Sequence, residues 1–515
     1  MAHVVNGKAL EPQACPEFKF RKGIVGEVPC CVRGMITKKV GFIALLGCLV
    51  FSFAQATEVR LSGMGDLRLV VQDETNPITL FRFGGNPAGV VGDETTSTYK
   101  LDFSYGGRTS STAGRTDSVD YKVFGDVLPL TLRAFLPSVS SIANATGFDE
   151  VEDVPELGLP PVGGTFVWRQ KKEDSYVWGQ ESKKAQAFWA DLGYSRINRE
   201  DHRIKDRVGT PRAELIYGMD LNNKFGYGMS GTFWSAGYAC DSTKESASLT
   251  TWGAGLGGRY TPVTQVSFGP LFNVYYPGVS AKSGTTSWNY SGPGYSGGLA
   301  TVFAPSWATF GGKVLLSSVK LKGHGETGRM SGYEGALQAL TRLPRLPLNF
   351  GVEAGYFSKH PIGEDSSGRR KYDNEFKRWR AGGGVGLRVS RFFLGAEAGM
   401  REQTQTDHLG GYGPAYRDTT FIESEQTAKF GAEVDLPAHV FVRTGYVWSS
   451  FDPDTKVSLN GETRNKITLG IGTKLLGGKY IGDIAYQRRS SSSEDKTLNH
   501  RVADNAVMVV VKGVY

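Results

Sequence analysis

Residues 466–515 read KITLGIGTKLLGGKYIGDIAYQRRSSSSEDKTLNHRVADNAVMVVVKGVY. Ile467, Leu469, Ile471 and Leu475 fall on one parity, and Lys466, Thr468 and Lys474 on the other, which is the period of a strand with one apolar face. A tight turn at Leu476-Gly-Gly-Lys479 leads into a second strand, and a long Ser-rich segment near 490–503 leads into a third. In that last strand Val507, Val509, Val511 and Tyr515 share a face, and the chain ends on the aromatic. A terminal strand that closes on the first removes the sheet edges that lipid would otherwise leave unsatisfied.

The same rhythm extends backwards to about residue 185. Phe430, Ala432, Val434 and Leu436 oppose Lys429, Glu433 and Asp435; Trp379, Val385, Leu387 and Val389 oppose Arg378, Arg380 and Arg388. Leu348, Phe350, Val352, Ala354 and Tyr356 oppose Asn349, Gly351, Glu353 and Gly355. Tight turns read at Leu221-Asn-Asn-Lys224, Thr261-Pro-Val263, Phe310-Gly-Gly-Lys313, Leu343-Pro-Arg-Leu-Pro347, Val389-Ser-Arg391 and Leu436-Pro-Ala-His439. Between them lie longer polar segments near 240–247, 281–297, 323–330, 359–376, 403–422 and 451–464. Short turns on one side and long connections on the other are the asymmetry of an outer-membrane barrel, and a sandwich or propeller has no reason to sort its connections so. Aromatics gather toward strand ends (Tyr260, Tyr275, Tyr276, Tyr356, Tyr446, Trp448, Tyr480), as interfacial girdles require. The expected fold is all-β, a transmembrane antiparallel β-barrel of 14–18 strands with 16 as the best single value.

Composition permits this reading. The 515 residues include 68 glycines, well above the usual ~7%. The one strong apolar run, 40–53, follows Lys38-Lys39 and precedes Ala54-Gln-Ala56, so 35–56 reads as a secretory signal peptide too short to span a bilayer. Leu45-Leu-Gly-Cys48 loosely matches a lipoprotein box, but the apolar run continues past the cysteine. Residues 1–34 are expected to be an upstream extension, with translation starting at Met35. Cleavage after Ala56 removes Cys15, Cys30, Cys31 and Cys48 and leaves Cys240, which excludes a disulfide framework and a cysteine zinc cage. The first 56 residues carry seven Lys/Arg against three Glu, half of the net charge of +8. Charges of both signs alternate through the remainder, and no basic cluster suggests a nucleic-acid partner.

Residues 57–184 are less regular. Tyr99, Leu101, Phe103 and Tyr105 alternate with Lys100, Asp102 and Ser104, with a partner strand expected around 117–126. Prolines and an acidic run interrupt 127–164, which reads as an irregular insertion. With apolar faces toward lipid, the lumen collects Glu353, Arg378, Arg380, Arg388, Glu397, Arg401, Lys429, Glu433, Asp435, Arg443, Lys466, Lys474 and Asp483. Such charges either line a water-filled pore or form ion pairs that grip a segment inside it.

The catalytic motifs have plainer readings. Gly226/Gly228/Gly231, Gly253/Gly255/Gly258 and Gly292/Gly294/Gly297 each match G-x-G-x-x-G, but no strand-to-helix context surrounds them. Gly294-Tyr-Ser296-Gly-Gly298 matches the nucleophile elbow of a hydrolase, with Ser296 as nucleophile, yet its surroundings have loop composition. Asp452-Pro-Asp454 and the acids of 149–156 lack calcium-loop spacing, and the seven histidines form no metal pair. No enzymatic activity, cofactor or metal is expected.

Two regions carry a family resemblance. Ser62-Gly-Met-Gly65 is followed by Gly84-Gly-Asn86-Pro87-Ala88-Gly89; near the other end come Phe441-Val-Arg-Thr-Gly-Tyr446, Ile467-Thr-Leu-Gly-Ile-Gly472, Asp483-Ile-Ala-Tyr486 and the aromatic terminus. This ordered set resembles the outer-membrane long-chain fatty-acid and aromatic-hydrocarbon uptake channels of FadL type. The resemblance implies a monomeric barrel, 97–515, with 57–96 folded inside as a plug that includes Asn86, Pro87, Ala88 and Gly89. It implies passive uptake of a small hydrophobic ligand that leaves sideways into the bilayer. Tyr515 resembles the terminal signal read by barrel-assembly machinery, and outer-membrane lipid and lipopolysaccharide are the expected surroundings. The rival expectations are a general porin for hydrophilic solutes and a non-transporting scaffold.

Overall fold

The structure is a computed structural model that describes residues 60–61, 64–71, 86–91, 97–112, 162–170, 173–177, 180–201, 204–240, 245–283, 285–343, 347–408, 419–454, 461–476, 479–494 and 499–514. Its strands are β1 (Thr98–Thr112), β2 (Val162–Arg169), β3 (Glu173–Val177), β4 (Gln180–Asp201), β5 (Ile204–Asp220), β6 (Phe225–Cys240) and β7 (Glu245–Val263). There follow β8 (Val266–Ser283), β9 (Thr286–Ser291), β10 (Gly294–Phe303), β11 (Ala308–Gly323), β12 (Glu326–Arg342), β13 (Leu348–Glu364) and β14 (Arg370–Val389). The last six are β15 (Phe392–Asp407), β16 (Thr419–Leu436), β17 (Val440–Asp454), β18 (Glu462–Leu475), β19 (Tyr480–Glu494) and β20 (Asn499–Val514).

All pairings are antiparallel, and β1 pairs with both β2 and β20, so the sheet closes on itself. β9 and β10 are successive pieces of one stave, parted at Gly292-Pro293, and β3 continues the line of β2 along β4. The result is a closed barrel of 18 staves rather than 16. The shortfall in the expected number has a local cause. β4 and β5 run on through a highly charged stretch and reverse between Asp201 and Ile204, where no glycine or proline marks a turn.

Two other expectations are corrected. Phe310-Gly-Gly-Lys313 is not a turn but the start of β11; the reversal falls one step earlier, at 304–307. The polar segments expected as long loops are largely strand that projects beyond the apolar zone. At 323–330 the whole connection is His324-Gly325, both with positive φ (49° and 74°), the requirement of a two-residue type I′ hairpin. The expected partner strand at 117–126, residues 127–161 of the expected insertion, the signal at 35–56 and Tyr515 lie outside the described residues, and 162–164, expected in that insertion, begin β2.

The outward face of the staves is apolar and exposed; the inward face is where buried charge is found. Leu316 (64% exposed), Leu337 (66%) and Ile471 (60%) look outward, while Lys313, Glu433 and Asp483 are buried. Aromatic pairs bound the outward band at both ends. Trp252 pairs with Tyr276 and Tyr260 with Phe268, eight residues further along the same two strands. That separation is roughly 20 Å along the membrane normal for a tilted strand, close to the ~25 Å apolar band of such barrels. Phe225 stacks on Tyr260, which meets Phe268 edge-on, and Phe303 stacks on Phe310, which meets Trp307 edge-on, at the turn end; Tyr333 stacks on Tyr356 at the other. Tyr275, expected among the girdle aromatics, points inward and is buried.

Leu337→Arg places a cation in the middle of the outward band and is expected to cost about 2–4 kcal/mol of folding free energy in bilayers. Thr327→Arg, on the same face beyond the girdle, should cost about 0–1 kcal/mol; reversible unfolding in liposomes measures both.

Candidate functional site

The inner face of the barrel carries two segments of chain that precede β1. The first is 64–71. Its entry is a turn of helix in which Met64 N–H donates to the carbonyls of Arg60 (3.2 Å) and Leu61 (3.0 Å), and Asp66 N–H to that of Leu61 (2.8 Å). Gly65 and Asp66 then adopt left-handed φ values (73° and 57°), which end the helix and redirect the chain along the wall. A side chain at Gly65 would also meet Phe430 O at 2.9 Å, so glycine is required there for space as well as for conformation. Leu61, Met64, Leu67, Val70 and Val71 bury together against Phe393.

Charges on the wall fasten this segment. Arg60 donates two hydrogen bonds of 2.7 Å to the two carboxylate oxygens of Glu433, the planar fork geometry that favours Arg over Lys. Arg443 donates to Glu433 (2.7 Å) and to Asp483 (2.5 Å), so one buried chain of ion pairs runs from the segment across β16, β17 and β19. Glu397 accepts from the backbone N–H groups of Leu69 (2.6 Å) and Val70 (3.1 Å). Lys429 donates to the carbonyl of Asp66 (3.1 Å), and Lys466 pairs with its carboxylate. Burial alone would raise the pKa of Asp66, but the charges of Lys466, Arg68 and Lys429 hold it well below the ordinary carboxylate range.

The other side chains expected in the lumen share the same face. Glu353 pairs with Arg380 (3.2 Å), Arg401 with Glu425 (2.9 Å), and Arg388 approaches Glu433 (3.6 Å). Arg378 donates to Gln403 (2.9 and 2.5 Å), Lys474 lies 4.8 Å over the Phe441 ring, and Asp435 sits at the turn end with its N–H on Arg391 O. Sequence reasoning missed Arg60 and Asp66 as their partners, and missed the buried Lys313–Glu334 pair on β11 and β12. It also missed the role of inward glycines. A Cβ at Gly351, Gly431 or Gly445 would overlap the backbone of Leu69, Met64 or Gly65. Their inward parity was the available signal.

The second segment is the N-P-A-G box. Pro87–Val90 is a turn of 3-10 helix, with Asn86 as N-cap accepting from Ala88 N–H (3.0 Å). All of Asn86, Pro87, Ala88 and Gly89 are buried. A Cβ at Gly228 or Gly257 would collide with Pro87 or Asn86, so Gly228 of the first glycine motif and Gly257, inside the second but not one of its defining glycines, make room for the box. The three glycine motifs run straight through β6, β7 and the β9–β10 junction, and Ser296 lies within β10, accepting from Asn273 (3.1 Å).

Asn86 has a specific task. The β7–β8 ladder runs regularly to Gly257↔Leu271 and resumes at Tyr260↔Phe268. In that register Gly258 faces Pro270, which has no N–H to donate. The Asn86 amide supplies the missing donor: Nδ2 lies 2.9 Å from Gly258 O and 2.9 Å from Pro270 O. The two segments thus dock on different arcs, 64–71 on β13–β18 and 86–91 on β5–β8.

Asn86→Ala is expected to cost about 1–3 kcal/mol, because two part-buried acceptors lose this donor. In a Pro270→Ala background, where the wall regains its own N–H, the cost should shrink; a double-mutant cycle on unfolding free energy reads this, and strict additivity would refute the substitution of one donor for the other. The Asp66 contact should also be pH-dependent. Its depressed pKa means a contribution present above the unfolded value of about 3.9 and lost as pH falls through the lower folded value. Hydrogen-exchange protection factors of 64–71, corrected for the intrinsic pH dependence of exchange, should therefore be unchanged from pH 7 to 5 and fall well below pH 4, with Asp66→Asn already lowered at pH 7.

No family model and no curated protein matches the chain. Among solved structures it is similar to a Pseudomonas aeruginosa FadL homologue (TM-score 0.36, 11% identity, 90% of this chain and 99% of that one). It is also similar to the Pseudomonas putida toluene transporter TodX (0.32, 9%, 90% and 100%) and the Ralstonia pickettii toluene transporter TbuX (0.33, 9%, 90% and 99%). At this distance the barrel rests on the chain's own closed ladder.

Proposed function

We propose that this protein is an outer-membrane channel for passive uptake of hydrophobic compounds, of fatty-acid or aromatic-hydrocarbon class, with residues 57–96 as its plug. The observation that carries this reading is the division of the inner face. On β13–β18 the inward positions hold charge and glycine, and they are engaged with residues 60–71. On β8–β12 they are mainly apolar: Leu271, Tyr275, Leu315, Val319, Leu321 and Met330 point inward and are buried, with Asn273 and the paired Lys313 and Glu334 as polar exceptions. A water-filled pore for sugars or ions gains nothing from an apolar inner sector, whereas an apolar solute needs one. The family resemblance of the N-P-A-G box and of the C-terminal strands supports the same solute class. Export through the 35–56 signal and insertion by the barrel-assembly machinery belong to this proposal.

A deletion strain should lose uptake of labelled long-chain fatty acid or of toluene, and the wild-type chain should restore it. Val319→Ser with Met330→Gln, which polarises the apolar sector while leaving the clasp intact, should restore several-fold less uptake at equal levels of folded barrel. Proteoliposomes that swell in sucrose, with apolar uptake unaffected by the deletion, would replace this reading with a general porin.

A further inference from the structure

We propose that the outward face of β11 and β12, just beyond the aromatic girdle, is a binding site for the phosphate groups of lipopolysaccharide. The outward positions of these two strands form a ladder of defined composition. Leu316 pairs with Tyr333, Ser318 with Ser331, Lys320 with Arg329 and Lys322 with Thr327. Reading outward, the wall passes from hydrocarbon-facing leucine, through tyrosine and serine, to cations. β11 begins at Ala308 beside the turn, so Leu316 closes the nine or so residues that cross the hydrocarbon. Lys320 and Lys322 then fall in the headgroup layer.

The charge arrangement is unfavourable on its own. Lys320 and Arg329 are directly opposed across the ladder on the same face, where like charges destabilise a sheet. Both are exposed, and so is Lys322. Arg329 has one acidic partner, Glu364 at 2.6 Å; among the described residues no ion pair is found for Lys320 or Lys322. Asp373, the next acid along the wall, is held by Arg370 (2.5 Å) and His360 (2.8 Å). Three cations against one shared carboxylate leave a net positive patch, with the Ser318 and Ser331 hydroxyls one rung below to donate to an oxyanion. Tyr295, which pairs with Ser318, and Tyr333 are half exposed beneath it and offer ring faces to the adjoining acyl and sugar groups. On β14, by contrast, the outward face carries a balanced pair, Lys377–Glu375 (2.7 Å). An anionic amphiphile anchored in the outer leaflet meets all of these features at once.

This inference rests on the membrane orientation in the proposed function, with the hairpin ends outside, but not on what the barrel transports. Orientation is decided separately by labelling Ser366→Cys, in a Cys240→Ser background, with an impermeant maleimide on intact cells. The binding experiment uses the full chain in detergent, with purified lipopolysaccharide, its dephosphorylated form and inorganic phosphate as probes. Wild type should bind intact lipopolysaccharide and gain thermal stability from it. Lys320→Gln/Lys322→Gln should bind at least tenfold more weakly and lose that gain, while being no less stable without lipid. Lys377→Gln should behave as wild type. Equal binding by the double variant, or equal binding of the dephosphorylated lipid, would overturn the proposal. Saturation of the site by millimolar inorganic phosphate, with no preference for the lipid, would overturn it in favour of a free-anion site.

Discussion

In hydrocarbon every backbone N–H and C=O must find its partner within the protein, and this single constraint shapes the wall and reaches into its interior. It forces the sheet to close, and β1 and β20 meet over the whole length of β1, from Thr98↔Val514 to Thr112↔His500. It also makes proline expensive inside the band and tolerable outside it. The β5–β6 ladder lapses near Pro211 and the β13–β14 ladder near Pro361, but both points lie beyond the girdle, the first past Phe233, whose ring lies 4.3 Å from girdle Trp252, and the second past Tyr356, where water can serve. Pro270 lies between Phe268 and Tyr276, within the band, and there the donor comes from Asn86. The buried box is tied to the wall by the same requirement that closed the wall.

The inner clasp obeys a different balance. Buried ion pairs recover little net stability once desolvation is counted, but breaking one leaves an uncompensated charge, so they act chiefly as locators. Glu433 is addressed by Arg60 and Arg443, and Glu397 by two backbone N–H groups and Lys429. Each of these contacts is meaningful only if the segment's backbone lies close against the strands, and the glycines at 351, 431 and 445 permit that approach. Glycine and charge are therefore one device.

Much of this was legible in the residues. Period-two alternation placed Lys429, Glu433, Arg443, Lys466 and Asp483 on one face, and the closed sheet keeps them there because a one-residue slip would turn each into lipid. The same alternation failed where strands leave the membrane. Beyond the girdle both faces are polar, so β4 and β5 through 195–207 carry no apolar parity and read as connection. Gly-Gly at 311–312 imitated a turn, although a bulge-free strand runs through it and Gly312 sits beside the Leu337 side chain. Contacts between residues hundreds of positions apart, such as Arg60 with Glu433, have no local signature at all. Asn86 was visible as part of a box, but its task depends on facing Pro270, a fact of register.

The division of the inner face then limits what the barrel can select. A charged lumen discriminates ions only through groups that remain available to them. Here Glu397, Lys429, Glu433, Arg443, Lys466 and Asp483 are engaged with one another and with residues 60–71, through hydrogen bonds that are buried or part-buried. An ion would have to displace a partner to gain a ligand. The apolar positions on β8–β12 have no such commitment: Leu271, Ala300 and Leu315 pack on one another across adjacent staves, and Val319, Leu321 and Met330 continue that surface outward. Dispersion and solvent exclusion are the interactions this sector can offer, and both favour solutes without charge. The polar arc holds the chain's own N-terminal segment, and on the proposed uptake function the apolar arc is where a solute would be recognised.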